Sequence, residues 1–203
     1  GALLNLGTHR LEEARRKGPA SPRRKKKINE AIEFYKRAIA VSPTYALAFS
    51  QLGTALQMAG DTGAAVSMMK QAVRLDPTHA NAWFKLAHSS YRVGDWPTAK
   101  AGYRRVTELE PSRSDAHLNL GIGAQEQGDT QLAIEAFKSA VAIDPNQKDV
   151  WVNLGHLLLS NGDAAEAKHC FAVRYNSTPP RWIKGWEILG SFNLKIPVRK
   201  TME

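Results

Sequence analysis

A chain of 203 residues, 43% hydrophobic and 23% charged, can bury one or two cores, and a formal net charge of +9 would suit a nucleic-acid binder if it were spread along a face. It is not spread: residues 1–45 hold eleven Lys/Arg against four Asp/Glu, residues 46–181 thirteen against thirteen, and residues 182–203 four against two. One cysteine, Cys170, excludes an intramolecular disulfide framework, and no apolar run approaches the roughly 20 residues that span a bilayer.

Without a signal-peptide pattern, the expected setting is a reducing intracellular compartment, the cytoplasm first, with the nucleus open through a basic run described below. The chain starts on Gly1-Ala2-Leu3-Leu4, already inside a helical pattern and without an initiator methionine, so it is expected to be a piece of something longer.

Taken in order, the chain divides into a first unit over 1–45 with a basic insertion at about 15–27. Four regular units follow over 46–79, 80–113, 114–147 and 148–181. The division rests on an interval of 34. Leu52, Leu86, Leu120 and Leu154 keep it, as do Gly53, Gly121 and Gly155, with Ala87 in the missing slot. Gly60-Asp61, Gly94-Asp95, Gly128-Asp129 and Gly162-Asp163 keep it too, and Pro43, Pro77, Pro111, Pro145 and Pro179 close the units.

Within a unit, residues such as Trp151, Leu154, Gly155 and Leu158 form one helical stripe. Glycine can take the left-handed cap that ends that helix, and Asp can cap the next. A second amphipathic helix, as in QLAIEAFKSAVAI, ends before Asp-Pro because proline disfavours helix in the residue ahead of it. One hairpin cannot bury its stripe alone, so neighbours must stack. After Pro179-Pro180, RWIKGWEILGSF places Trp182, Trp186 and Leu189 at helical spacing. This predicts a capping helix over 182–193, or the opening of a further repeat, and then a tail over 194–203. Asn176-Ser177-Thr178 fits a glycosylation sequon, set aside for want of a secretory signal.

The first-helix segments FSQLGTAL, WFKLAHSS, HLNLGIGA and WVNLGHLL, with the second-helix segments AVSMM, AKAGY, AIEAF and AKHCF, resemble the tetratricopeptide repeat family. The pattern departs at His117, where an aromatic is expected, and at Ala87. The resemblance implies an all-α, right-handed solenoid of about five helix-turn-helix repeats, with partners bound in a concave groove.

The basic run Arg23-Arg24-Lys25-Lys26-Lys27 falls where the first unit is twelve residues longer than the others, between Gly7 and Ala31. A solvated basic loop is expected there. Ser21-Pro22 can cap and start a longer second helix, but five cations in its first turns oppose the helix dipole, so that start is expected to fray. An import address, or contact with nucleic acid, an acidic protein or a lipid surface, remains open; no aromatic is interleaved to stack bases.

In this register the groove stripe is Leu47, Ser50, Gln51, Thr54 and Gln57, then Asn81, Phe84, Lys85, His88 and Arg92. Asp115, Leu118, Asn119, Ile122 and Gln125 follow, and Asp149, Val152, Asn153, His156 and Leu159 complete it. Asn5, Gln51, Lys85, Asn119 and Asn153 form a polar column suited to a peptide backbone, with Phe84, Leu118, Ile122 and Val152 as side-chain pockets. The column resembles the asparagine ladder of O-linked N-acetylglucosamine transferase. The residue after the glycine (Thr8, Thr54, Ile122 or His156, with His88 after Ala87) does not match the carboxylate clamp of chaperone-binding members.

The six histidines lack zinc-site spacing, and no P-loop, nucleophile elbow or dinucleotide fingerprint occurs. Cys170, next to His169, reads as a small core filler. No catalytic residue and no cofactor is expected. The leading reading is a non-catalytic scaffold binding a partner peptide or helix. The alternatives are the substrate-recognition arm of a larger enzyme such as a glycosyltransferase, and a nucleic-acid binder acting through residues 15–27.

Overall fold

A computed structural model describes residues 1–175, and among these it contains ten α-helices and no strand. The expected capping helix at 182–193, the tail at 194–203 and the sequon lie outside the described residues. The chain divides into two compact units, residues 1–143 and 144–203. The first holds four helical hairpins: α1 (Ala2–Arg15) with α2 (Pro22–Val41), α3 (Ala46–Ala59) with α4 (Thr62–Leu75), α5 (Ala80–Arg92) with α6 (Trp96–Leu109), and α7 (Ser114–Glu126) with α8 (Thr130–Ile143). The second holds α9 (Lys148–Ser160) and α10 (Ala164–Tyr175).

Local chemistry sets the hairpin ends. Gly60, Gly94, Gly128 and Gly162 all have φ between 72° and 95°, where a side chain would be strained. Asp61 then accepts from Ala64 N at 3.0 Å and Asp95 from Thr98 N at 3.2 Å, which satisfies a backbone donor at each new helix start. Trp83 and Trp151 donate their indole N–H to the carbonyls of Pro77 and Pro145 at 2.9 Å, which locks each first helix to the turn before it. His117 performs the same task, its Nε2 donating to the Pro111 carbonyl at 2.9 Å. The departure from an aromatic at that position therefore preserves the bond.

Within each hairpin the helices meet at a small residue. Gly121 lies against Phe137, and a methyl on it would stand 2.6 Å from the ring, an overpacking that costs about 1–3 kcal/mol. Gly7 faces Tyr35, Gly53 faces Met69 and Gly155 faces Phe171 in the same way. In the α5–α6 hairpin the small residue has crossed over. Ala87 replaces the glycine on α5, and Gly102 on α6 faces it, where a methyl would stand 2.9 Å from the Ala87 Cβ.

Stacking completes the first unit: α2 packs on α3, α4 on α5 and α6 on α7. The α1 helix also reaches α3, and α3 reaches α5, so these first helices crowd together on one side. That side carries the residues expected to line the groove. Its buried counterpart runs through Leu4, Leu11, Ile28 and Tyr35, then Met69, Val73 and Leu86, then Tyr103, Leu120 and Ala136. In the second unit, Leu154, Ala167, Cys170 and Phe171 are buried.

The basic run is not a loop. Of the twelve extra residues, two lengthen α1, four enlarge the connection over 16–21, and six extend α2 back to Pro22. Arg23, Arg24, Lys25, Lys26 and Lys27 occupy its first two turns. Ser21 makes no side-chain cap bond; Pro22 supplies the fixed φ of a first helical residue instead. The dipole penalty is offset by acids from two helices. Lys27 lies 3.2 Å from Glu13 and 3.3 Å from Glu30, and Arg10 lies 2.8 Å from Glu13 and 3.2 Å from Glu30. This lattice ties the extension of α2 to α1.

Candidate functional site

The groove face is built from successive turns of α3, α5 and α7. On α3, Gln51 and Thr54 are half-buried, and Thr54 Oγ1 donates to the Ser50 carbonyl at 3.0 Å. Ser50 itself is not on this face. It is 1% exposed, and among the described residues its Oγ has no hydrogen-bond partner. Leu47 packs against the core shared by α1, α2 and α3.

On α5, Lys85 is half-buried and His88 exposed. The Lys85 ammonium donates to Gln51 Oε1 at 3.4 Å, so two members of the polar column touch across neighbouring hairpins. Burial holds the Lys85 pKa below the ordinary lysine value, and the positive charge of Arg15 adds to that. Partial burial, then the neighbouring Arg92, lowers the His88 pKa in the same direction.

Phe84 departs from its expected role as an open pocket wall. Tyr103 meets it edge-on with centroids 5.5 Å apart, and the Arg113 guanidinium lies over the ring at 4.2 Å. Arg113 is held there by Asn81, Glu110 and Asp115 at 2.8–2.9 Å. No sequence pattern announces this cap, because Arg113 lies outside the stripe and reaches back one hairpin.

On α7, Leu118, Asn119 and Ile122 are half-buried. Asn119 Nδ2 donates to the Asp115 carbonyl at 2.6 Å, one turn back on its own helix, which commits a donor expected to face a ligand. In the second unit, α9 places Val152 and Asn153 half-buried and His156 exposed on its surface. The His156 ring meets Phe171 edge-on at 5.3 Å, and partial burial lowers its pKa.

Among the described residues, no group of three or more His, Cys, Asp or Glu could hold a metal ion, and no helix is long and apolar enough to cross a membrane. On α3, α5 and α7 the face offers amides, one ammonium, the exposed imidazole of His88 and half-buried aliphatic side chains.

These features define an all-α protein of stacked helical hairpins with a period of 34, a fold whose extended surfaces serve protein interaction. Tetratricopeptide repeat family models match residues 23–60, 46–79, 84–148 and 124–173. The chain belongs to the tetratricopeptide repeat family. No curated protein matches it.

Among solved structures it is similar to MamA, at 24% identity and a TM-score of 0.69 over 79% of this chain and 94% of that one. It is also similar to MamA from Desulfovibrio magneticus RS-1, at 21% identity and 0.71 over 87% and 95%. A third, YrrB, is described as a TPR protein with an unusual peptide-binding site; it matches at 16% identity and 0.72 over 92% and 90%. At these identities the likeness is one of fold.

Proposed function

We propose that the protein is a non-catalytic scaffold that binds an extended peptide or helix of a partner protein along the groove face of α3, α5 and α7. The observation that carries this is the pairing, on one face, of half-buried Leu118 and Ile122 with the polar Gln51, Lys85 and Asn119. Aliphatic side chains supply pockets, and amides and the ammonium supply hydrogen bonds to a main chain. The peptide-binding site in YrrB's description supports the same use here.

The test starts from a random linear peptide library displayed on phage and panned against the folded chain. Selected peptides, added to isotope-labelled protein, should shift the backbone amide signals of α3, α5 and α7. Shifts confined to the outer helices α2, α4 and α6 would contradict the proposal.

A further inference from the structure

Lys85 is a half-buried cation that the fold does not neutralise. Among the described residues its ammonium has one hydrogen-bond acceptor, the neutral Gln51 Oε1 at 3.4 Å, and no carboxylate within ion-pair distance. Most other half-buried cations are answered by a carboxylate within the chain; Arg24, at the start of α2, meets the Pro19 carbonyl at 3.4 Å. Arg10 and Lys27 have Glu13 and Glu30, Lys100 has Asp129, and Arg113 has Glu110 and Asp115. A charge withdrawn from water without a counter-charge costs stability, and burial does depress the Lys85 pKa.

The surroundings sharpen the point. The α3 segment ALAFSQLGTALQMA and the α5 segment ANAWFKLAHSSYR contain no Asp or Glu at all. Further along α5, His88 and Arg92 follow Lys85 at helical spacing, and Arg15 of α1 is near enough for its charge to bear on Lys85. Glu13 of α1 and Asp115 of α7 are committed to other cations, Glu13 to Arg10 and Lys27 and Asp115 to Arg113. Here α3 and α5 present a positive, acid-free stretch.

We infer that Lys85 and Gln51 form a carboxylate subsite that receives an Asp or Glu side chain of a peptide lying across α3 and α5. The inference rests on the peptide reading given above. The incoming carboxylate accepts from Lys85 Nζ and from Gln51 Nε2, whose partner oxygen already faces the ammonium. Arg92 on α5 and Arg15 on α1 extend the positive field, so acidic residues are favoured at neighbouring peptide positions as well. The occupant assigned is a side-chain carboxylate, since an Asp or Glu can reach the pair from any position along a peptide that crosses α3 and α5.

The experiment pans the same random peptide library against wild type and against Lys85→Gln, with thermal melting confirming that the variant folds. Wild-type selections should share an Asp or Glu at one position. In fluorescence anisotropy, changing that residue to Asn or Gln should weaken wild-type binding at least about 10-fold, and Lys85→Gln should bind the two peptides alike. Selected peptides without a shared acidic position, or equal binding of the acidic peptide by Lys85→Gln and wild type, would overturn the subsite and leave the peptide-binding face standing. Loss of binding on amidating the peptide's C-terminus would overturn the side-chain assignment. Failure to select any peptide would overturn the peptide reading and the subsite with it.

Discussion

Lys85 on α5 and Arg113 at the entry to α7 are both half-buried cations of the first unit, and the fold treats them in opposite ways. Arg113 donates to Glu110, Asp115 and Asn81 and covers the Phe84 ring, so that it stitches α5 to the turn between α6 and α7. Lys85 meets one amide oxygen. The first arrangement is complete without a partner. The second carries a desolvated charge that nothing in the described chain offsets, a feature that stability alone does not favour. The contrast separates a cation that holds the fold from one available to a ligand.

Substitution should break the comparison cleanly. Arg113→Met should cost on the order of 2 kcal/mol in urea unfolding, because it leaves Glu110, Asp115 and Asn81 unanswered and uncovers the Phe84 ring. A cost near zero would mean that the Arg113 cluster is ornamental. Lys85→Met should leave stability unchanged or slightly raised, and a loss matching that of Arg113→Met would make Lys85 structural.

A smaller effect comes from Glu13, the acid that answers Arg10 and Lys27 at the extended hairpin. A hydrogen bond from Arg10, then one from Lys27, lowers its carboxyl pKa to about 2. Its folded value lies below the unfolded one, so the contribution is complete above the ordinary carboxylate range and is lost as the pH falls toward about 2. Glu13→Gln should therefore lower the melting temperature at pH 7, modestly since these groups are near the surface, with the difference closing by pH 2. A gap that persists at pH 2 would contradict this origin.

Much of the fold was legible in the 34-residue register, because stacking hairpins forces a small residue, a left-handed turn and a capping Asp to recur at fixed places. Where the pattern broke, the remedy lay elsewhere in three dimensions. The space taken by Ala87 is returned by Gly102 on the facing helix, and the missing aromatic at 117 is replaced by an imidazole nitrogen making the same bond.

The groove face was harder to read. Periodicity assigns a residue to a face, but it cannot tell that Ser50 is buried, that Asn119 turns back onto its own helix, or that Arg113 covers Phe84. For the basic run, the helix dipole points to a frayed start, but Glu30 answers Lys27 one turn along α2, and Glu13 comes near it only once α1 and α2 are side by side.

The most direct measurement is an NMR titration of the Lys85 side chain in the folded protein, alone and with a selected acidic peptide. The account predicts a pKa below the ordinary lysine value of about 10.4 in the free protein, and a rise when the peptide binds. An ordinary or raised value in the free protein, or no rise on binding, would contradict it.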